Sequence, residues 1–258
     1  VDSLISTGLF TEKDLSVLGA VARQAAISVD NVLMQQTIKQ ETAARESLSR
    51  MMSPNLVDQI LAGDLAVEKG GTLRKATVLF ADVRGFTNLT ERTPPKEMVA
   101  MMNEYFERIT TVIFAHNGTL DKYIGDAVMA LWGAPLTHDN DESEAVQAAI
   151  GMQKSVDEFN RRRLSEGKAA IGVGIGIATG QLIAGYMGSS QTLSYTVLGR
   201  SVNLSARLCG MAEPGEVLLA PTTFEFVRDR VLAEEMAPIA LKGISEPVCP
   251  LRLIRWTG

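Results

Sequence analysis

The chain of 258 residues is 46% hydrophobic and 21% charged, which is enough apolar content for a sizeable core and excludes a disordered chain. Thirty acidic against twenty-five basic residues leave a net charge of -5, and with 5% aromatic residues this argues against a general nucleic-acid surface. Two distant cysteines, Cys209 and Cys249, point to neither a disulfide framework nor a zinc site and suit a reducing cytoplasm, the expected location.

The chain starts Val-Asp-Ser-Leu, without a basic flank or initiator Met, so it reads as a piece of something longer with no signal peptide. No uninterrupted apolar run approaches the ~20 residues that span a bilayer, so no membrane segment is expected. Residues 12 to 52 lack proline and hold only Gly19, which predicts one long helix. Leu18, Ala22, Ala25, Val29 and Val32 form a seam at alternating spacings of four and three. A second register follows through Ile27, Asn31, Met34, Ile38, Glu41, Arg45, Leu48 and Met52. Such a shift suggests a stutter in a two-stranded coiled coil, with an amphipathic helix docked on its own domain as the plainer alternative.

Ser53-Pro54 opens a short helix that Gly63 closes, and residues 63 to 73 read as a connector. An apolar strand runs over 75–81, and a periodic helix over 94–116 stops at Asn117-Gly118. Short strands at 119–124 and 126–131 form a hairpin around Gly125, and a helix covers 141–163. Strands 170–178 and 181–187 are expected to join at Thr179-Gly180, followed by a strand at 193–198, a helix at 200–212, and shorter strands with one helix. Strand, helix, hairpin, helix, strand is a split βαβ order, so the expected class is α+β: a ferredoxin-like, palm-like mixed or antiparallel sheet with helices over one face. The division is 1–52 for the N-terminal helix, 53–73 for the connector and 74–258 for the main domain.

Asp82 ends the almost wholly apolar strand Thr77-Val-Leu-Phe-Ala-Asp-Val and precedes a glycine turn, and Asp126 sits at the hairpin in Asp121-Lys-Tyr-Ile-Gly-Asp. If that strand neighbours the hairpin, two carboxylates converge and suit hard divalent cations. Alone, each Asp would more simply cap its turn. Asn203 and Arg207 lie four apart on one helical face, an amide and a guanidinium suited to phosphate oxygens, although a solvated polar face would have the same spacing.

Three segments, Val78-Leu-Phe-Ala-Asp-Val-Arg-Gly-Phe-Thr87, Asp121-Lys-Tyr-Ile-Gly-Asp-Ala-Val-Met-Ala130 and Tyr195-Thr-Val-Leu-Gly-Arg-Ser-Val-Asn-Leu-Ser-Ala-Arg207, together resemble the class III nucleotide cyclases over residues 74–255. The resemblance implies an adenylyl cyclase making 3′,5′-cyclic AMP and pyrophosphate from ATP. Asp82 and Asp126, with the Val83 backbone, would hold two ions, Mg²⁺ or Mn²⁺, per site. Val83, Gly85, Phe86 and Thr87 would meet metal and phosphates, and Lys242 in Leu241-Lys-Gly243 the triphosphate. Lys122 and Thr196 would read the purine, Asn203 orient the ribose and Arg207 stabilise the transition state.

Family guanylyl cyclases usually carry Glu and Cys at the purine positions; Thr marks a bacterial subgroup similar to enzymes that respond to bicarbonate, which makes bicarbonate a candidate activator. The resemblance further implies a homodimer whose sites take the aspartates from one protomer and Lys122, Thr196, Asn203 and Arg207 from the other. Residues 1–36 look like the closing turn and helix of a GAF domain, implying an upstream sensor. A non-catalytic relative would have lost a metal Asp, Asn203 or Arg207, and a diguanylate cyclase would show a different hairpin.

Overall fold

In a computed structural model, residues 11–49, 53–63, 68–240 and 247–258 are described. They divide into two compact units, Val1–Met51 and Met52–Gly258.

The first unit is helix α1 (Glu12–Ser49), continuous as the absence of proline predicts. Thr11 and Asp14 cap it reciprocally: the Thr11 amide donates to Asp14 Oδ2 at 2.8 Å and the Asp14 amide to Thr11 Oγ1 at 3.3 Å. Leu18, Val29, Val32, Met34 and Ile38 are exposed. Contrary to the expectation of no such segment, Glu12–Lys39 is long and apolar enough, by length and composition, to cross a membrane. Its Ala, Val, Ile and Leu residues outweigh Arg23 and Asp30, which interrupt any single apolar run. The second register beyond Lys39 and the segment Gly8-Leu-Phe fall largely outside the described side chains.

The second unit begins with helix α2 (Pro54–Ala62), which has proline in its first turn and is closed by Gly63 at φ 78°. Strand β1 (Gly70–Arg84) starts within the expected connector. After α3 (Phe86–Arg92) and α4 (Pro95–Ala115) comes the hairpin β2 (Thr119–Ile124) and β3 (Ala127–Trp132), then α5 (Asp141–Ser165). The remainder is β4 (Gly172–Gly188), β5 (Leu193–Leu198), α6 (Arg200–Met211), β6 (Val217–Leu219), α7 (Pro221–Val227), β7 (Val231–Glu235) and β8 (Leu251–Trp256).

The eight strands form a mixed sheet in the order β2-β3-β1-β4-β6-β8-β7, with β5 on the far half of β4. Among the described strands, β4 pairs with β6 in parallel and the other ladders are antiparallel. The expected pair 170–178 and 181–187 is one strand, because β4 stays paired to β1 from Gly172 to Tyr186 and Thr179-Gly180 never turns. Instead the partner on its other edge changes there, from β6 at 175–177 to β5 at 183–188. Thr179 is held inside by hydroxyl contacts to Thr77 (2.9 Å) and Thr223 (3.1 Å).

Helices cover both faces, not one. Leu79, Ala81 and Val83 point to the core shared with α4 and α5, while Val78 and Phe80 point to the core shared with α2 and α6. Glycine decides how α6 sits: a Cβ at Gly176 would lie 2.2 Å from the Cys209 nitrogen and 2.4 Å from the Ser205 carbonyl. The helix backbone therefore rests on the strand, and Ser205 Oγ lies 2.9 Å from the carbonyls of Val78 and Gly176.

Candidate active site

Strand β1 is central, and β3 pairs with it antiparallel from Thr77↔Trp132 to Ala81↔Val128. That register carries the β2–β3 turn to the end of β1, where Asp82 stands. Gly125 adopts φ 65° in this turn, a conformation glycine takes without cost. The two carboxylates meet as the spacing predicts. Burial pushes the Asp126 carboxyl up to about 6, and a hydrogen bond and like charge from Asp82 push the same way, against the backbone amides of Asp126 and Val83. Two carboxylates this close stabilise a shared proton or a cation. The described residues contain no group of three or more His, Cys, Asp or Glu suited to a metal. A metal here would therefore complete its shell with backbone, water and ligand oxygens, the donor set of Mg²⁺ or Mn²⁺.

Past Val83, Gly85 at φ 66° turns the strand into α3, placing Phe86 and Thr87 in the first turn beside Asp82 in sequence. Arg84, which the sequence reading passed over, joins this end of β1 to α6. Its guanidinium donates to the Cys209 carbonyl at 2.9 Å and lies 3.4 Å from Asp82 Oδ2. Gly174 makes the room, since a Cβ there would sit 2.7 Å from Arg84 Nε. Tyr105 of α4 is buried in the neighbouring core, and its phenol is pushed well above its ordinary value by burial and then by the charges of Cys209, Asp82 and Asp126.

Lys122 and Thr196 lie on β2 and β5, far apart in strand order, yet Lys122 Nζ donates to Thr196 Oγ1 at 2.8 Å. They meet because β5 leaves the main path of the sheet and packs Tyr195 and Val197 into the core shared with Met129 and Leu131 of β3. Between them is a residue the sequence reading assigned to no role. Asp121 Oδ2 lies 3.0 Å from Lys122 Nζ and accepts from Thr196 Oγ1 at 3.2 Å, with its side chain fully enclosed.

Asn203 and Arg207 are both exposed on the outer face of α6, one turn apart, while Leu204, Ser205 and Leu208 face inward. Neither side chain makes a hydrogen bond or ion pair with any described residue. Among the described residues, three groups share no side-chain hydrogen bond or ion pair with one another: the Asp82–Asp126 pair, the Asp121–Lys122–Thr196 cluster and the bare pair on α6. Lys242 lies outside the described residues. His116 bonds Glu144 at 2.9 Å and His138 Asp141 at 3.3 Å, both around the start of α5.

Residues 69–250 match the family described as the adenylate and guanylate cyclase catalytic domain. Over 203 residues, 76% of the chain, it is 32% identical to an adenylate cyclase of Anabaena cylindrica; over 138 residues, 54% of the chain, it is 34% identical to adenylate cyclase 1 of Rhizobium meliloti. The chain spans 39% and 21% of the length of these two relatives. Among solved structures, the adenylyl cyclase CyaB from P. aeruginosa superposes with a TM-score of 0.70 at 31% identity, over 72% of this chain and 97% of that one. The guanylyl cyclase Cya2 superposes with a TM-score of 0.69 at 34% identity, over 72% and 94%.

Proposed function

Since this chain belongs to the adenylate and guanylate cyclase catalytic-domain family, we propose that it is the cyclase part of a larger protein and converts ATP into 3′,5′-cyclic AMP and pyrophosphate. The observation that carries the reading is the convergence of Asp82 and Asp126 at the end of β1. Similar structures include both an adenylyl and a guanylyl cyclase, so the base must be argued from the pocket. Lys122 only donates, which suits the N1 acceptor of adenine, and Thr196 can accept from the exocyclic amine. Guanine would set its N1–H against the lysine.

Asp82 and Asp126, with the Val83 carbonyl, would hold two divalent cations, which when bound acidify the ribose 3′-hydroxyl and offset triphosphate charge. The hydroxyl attacks the α-phosphorus in line and pyrophosphate leaves. Asn203 orients the ribose, and Arg207 meets the charge that grows on the α-phosphoryl oxygens. The turn at Gly85, Phe86 and Thr87 offers backbone amides to the phosphates, and Lys242 a further cation.

The exposure of Asn203 and Arg207, with no side-chain bond to either carboxylate of the same chain, supports a homodimer in which each site is assembled from two protomers. The exposed apolar seam of α1 supports pairing of two such helices that relay a signal from an upstream sensor. Arg23 and Asp30 favour this over a membrane span, where charged groups are costly.

The test is an assay of the purified chain with Mg²⁺ and ATP or GTP, product identified by mass. Cyclic AMP from the wild type and none from Asp82→Ala, with the variant folded by circular dichroism, is the expected result. Undiminished turnover in Asp82→Ala, or cyclic GMP as the main product, refutes it.

A further inference from the structure

A hydroxyl is ambidextrous: it carries one proton and two lone pairs and turns to suit its partner. Thr196 alone therefore does not choose between the exocyclic amine of adenine, which donates, and the exocyclic carbonyl of guanine, which accepts. What surrounds the hydroxyl settles the choice. Lys122 Nζ, which can only donate, lies 2.8 Å from Thr196 Oγ1 and uses one lone pair. Asp121 Oδ2, an acceptor as a carboxylate, lies 3.2 Å away and takes the single proton. One lone pair remains. The Lys122 ammonium is fixed at the same time: two of its three protons point to Thr196 and to Asp121 Oδ2 at 3.0 Å, leaving one for a base.

The backbone shows how two consecutive residues come to serve one pocket. In a regular strand Asp121 and Lys122 would point to opposite faces. The β2–β3 ladder slips between Leu120, opposite Ala130, and Lys122, opposite Met129, so Asp121 is the extra residue of a β-bulge. A bulge re-aims a side chain. Here it turns Asp121 inward until its carboxylate is wholly enclosed and Oδ1 has no hydrogen-bond partner among the described residues. Burial pushes this carboxyl up, with Lys122 and Thr196 pulling it back. An apolar side chain would fill the position at less cost.

We propose that Asp121 is a specificity-determining residue for the base: by holding the Thr196 hydroxyl proton it makes that oxygen an obligate acceptor, which admits the amine of adenine and rejects the carbonyl of guanine. Asp121 does not touch the nucleotide; it acts through Thr196 and Lys122. This rests on the cyclase reading above and adds the origin of its base choice.

The experiment measures kcat/KM for ATP and for GTP, together with dissociation constants for both nucleotides, in the wild-type chain, Asp121→Ala, Asp121→Asn, Thr196→Val and the Thr196→Val/Asp121→Ala double variant. Asp121→Ala frees the hydroxyl to donate, and the ATP-over-GTP preference should fall roughly ten- to a hundred-fold, the weight of one mispaired hydrogen bond. Asp121→Asn keeps an acceptor facing Thr196 and should retain most of the preference. With the hydroxyl already gone in Thr196→Val, the added Asp121→Ala change should leave the ratio where it was. An unchanged preference in Asp121→Ala, an equal loss for both nucleotides in Ala and Asn variants alike, or additive effects in the double variant overturns the proposal. A wild-type chain that turns over neither nucleotide refutes the cyclase reading, and the ratio of dissociation constants then still tests Asp121.

Discussion

The Asp121–Lys122–Thr196 cluster and the outer face of α6 hold residues of the same proposed reaction in opposite conditions. Asp121, Lys122 and Thr196 are bonded to one another, with their protons already assigned. Asn203 and Arg207 point outward and their side chains bond to no described residue, although the inner side of the same helix rests directly on β4 at Gly176. The difference separates two tasks. A group that must discriminate between bases has to have its hydrogen bonds committed before the ligand arrives. A group that must meet charge appearing only in the transition state is best left without a competing partner in its own chain.

Arg207→Ala breaks the comparison most sharply. Cyclic AMP formation should fall about 10²- to 10³-fold while the thermal midpoint stays put, since no described contact is lost. An equal fall in stability would show that the outer face has a packing role. Mixing Asp82→Ala chains with Arg207→Ala chains tests where that face works: about one competent site per heterodimer should return, seen as recovered activity against either variant alone. No recovery in confirmed heterodimers would place all the groups in one chain. In the base pocket, Lys122→Glu with Thr196→Cys should move the preference toward GTP, and an unmoved ATP-to-GTP ratio would contradict the purine assignment.

A smaller effect concerns the carboxylates. The folded state raises Asp126 to about 6, above its unfolded value. Its cost to stability is thus absent at pH below 4, grows as pH rises from about 4 to about 6, and is complete above that. Metal-free Asp126→Asn should therefore be more stable than wild type above pH 6, by about 1 kcal/mol once solvent screening is allowed for, and no more stable below pH 4. Denaturant titration at both pH values with a chelator present checks this. Comparable in stability but without effect on activity is Thr179→Val, which opens the hydroxyl chain from Thr77 to Thr223 and should cost about 1 kcal/mol.

The segments that carry chemistry were legible because each joins a residue type to a local signal: an apolar strand ending in Asp82, a tight turn at Gly125-Asp126, and Asn203 and Arg207 four apart on a helix. Four features were not. Thr179-Gly180 resembles a turn, but the long ladder with β1 overrides that local preference. Helices on both faces follow from which edge of β4 each later strand takes, a choice no periodicity encodes. Asp121 was hidden by the alternation rule itself, since a regular strand would turn it away from Lys122, and a one-residue bulge leaves no mark in composition. Arg84 escaped for a related reason: its partners are a glycine gap at 174 and a carbonyl at 209, neither of which has a side-chain signature.

Strand β1 has a mechanical consequence. It runs fifteen residues, about 45 Å, from Gly70, inside the expected connector, to Arg84, two residues beyond Asp82. Every residue of it is paired with β4, from Gly70↔Tyr186 to Arg84↔Gly172. A rod clamped along its whole length neither stretches nor buckles in the middle, so torque applied at the Gly70 end arrives at the carboxylates with little damping. The clamping strand, β4, also carries β5 and Thr196, so the same twist turns the Thr196 hydroxyl with it.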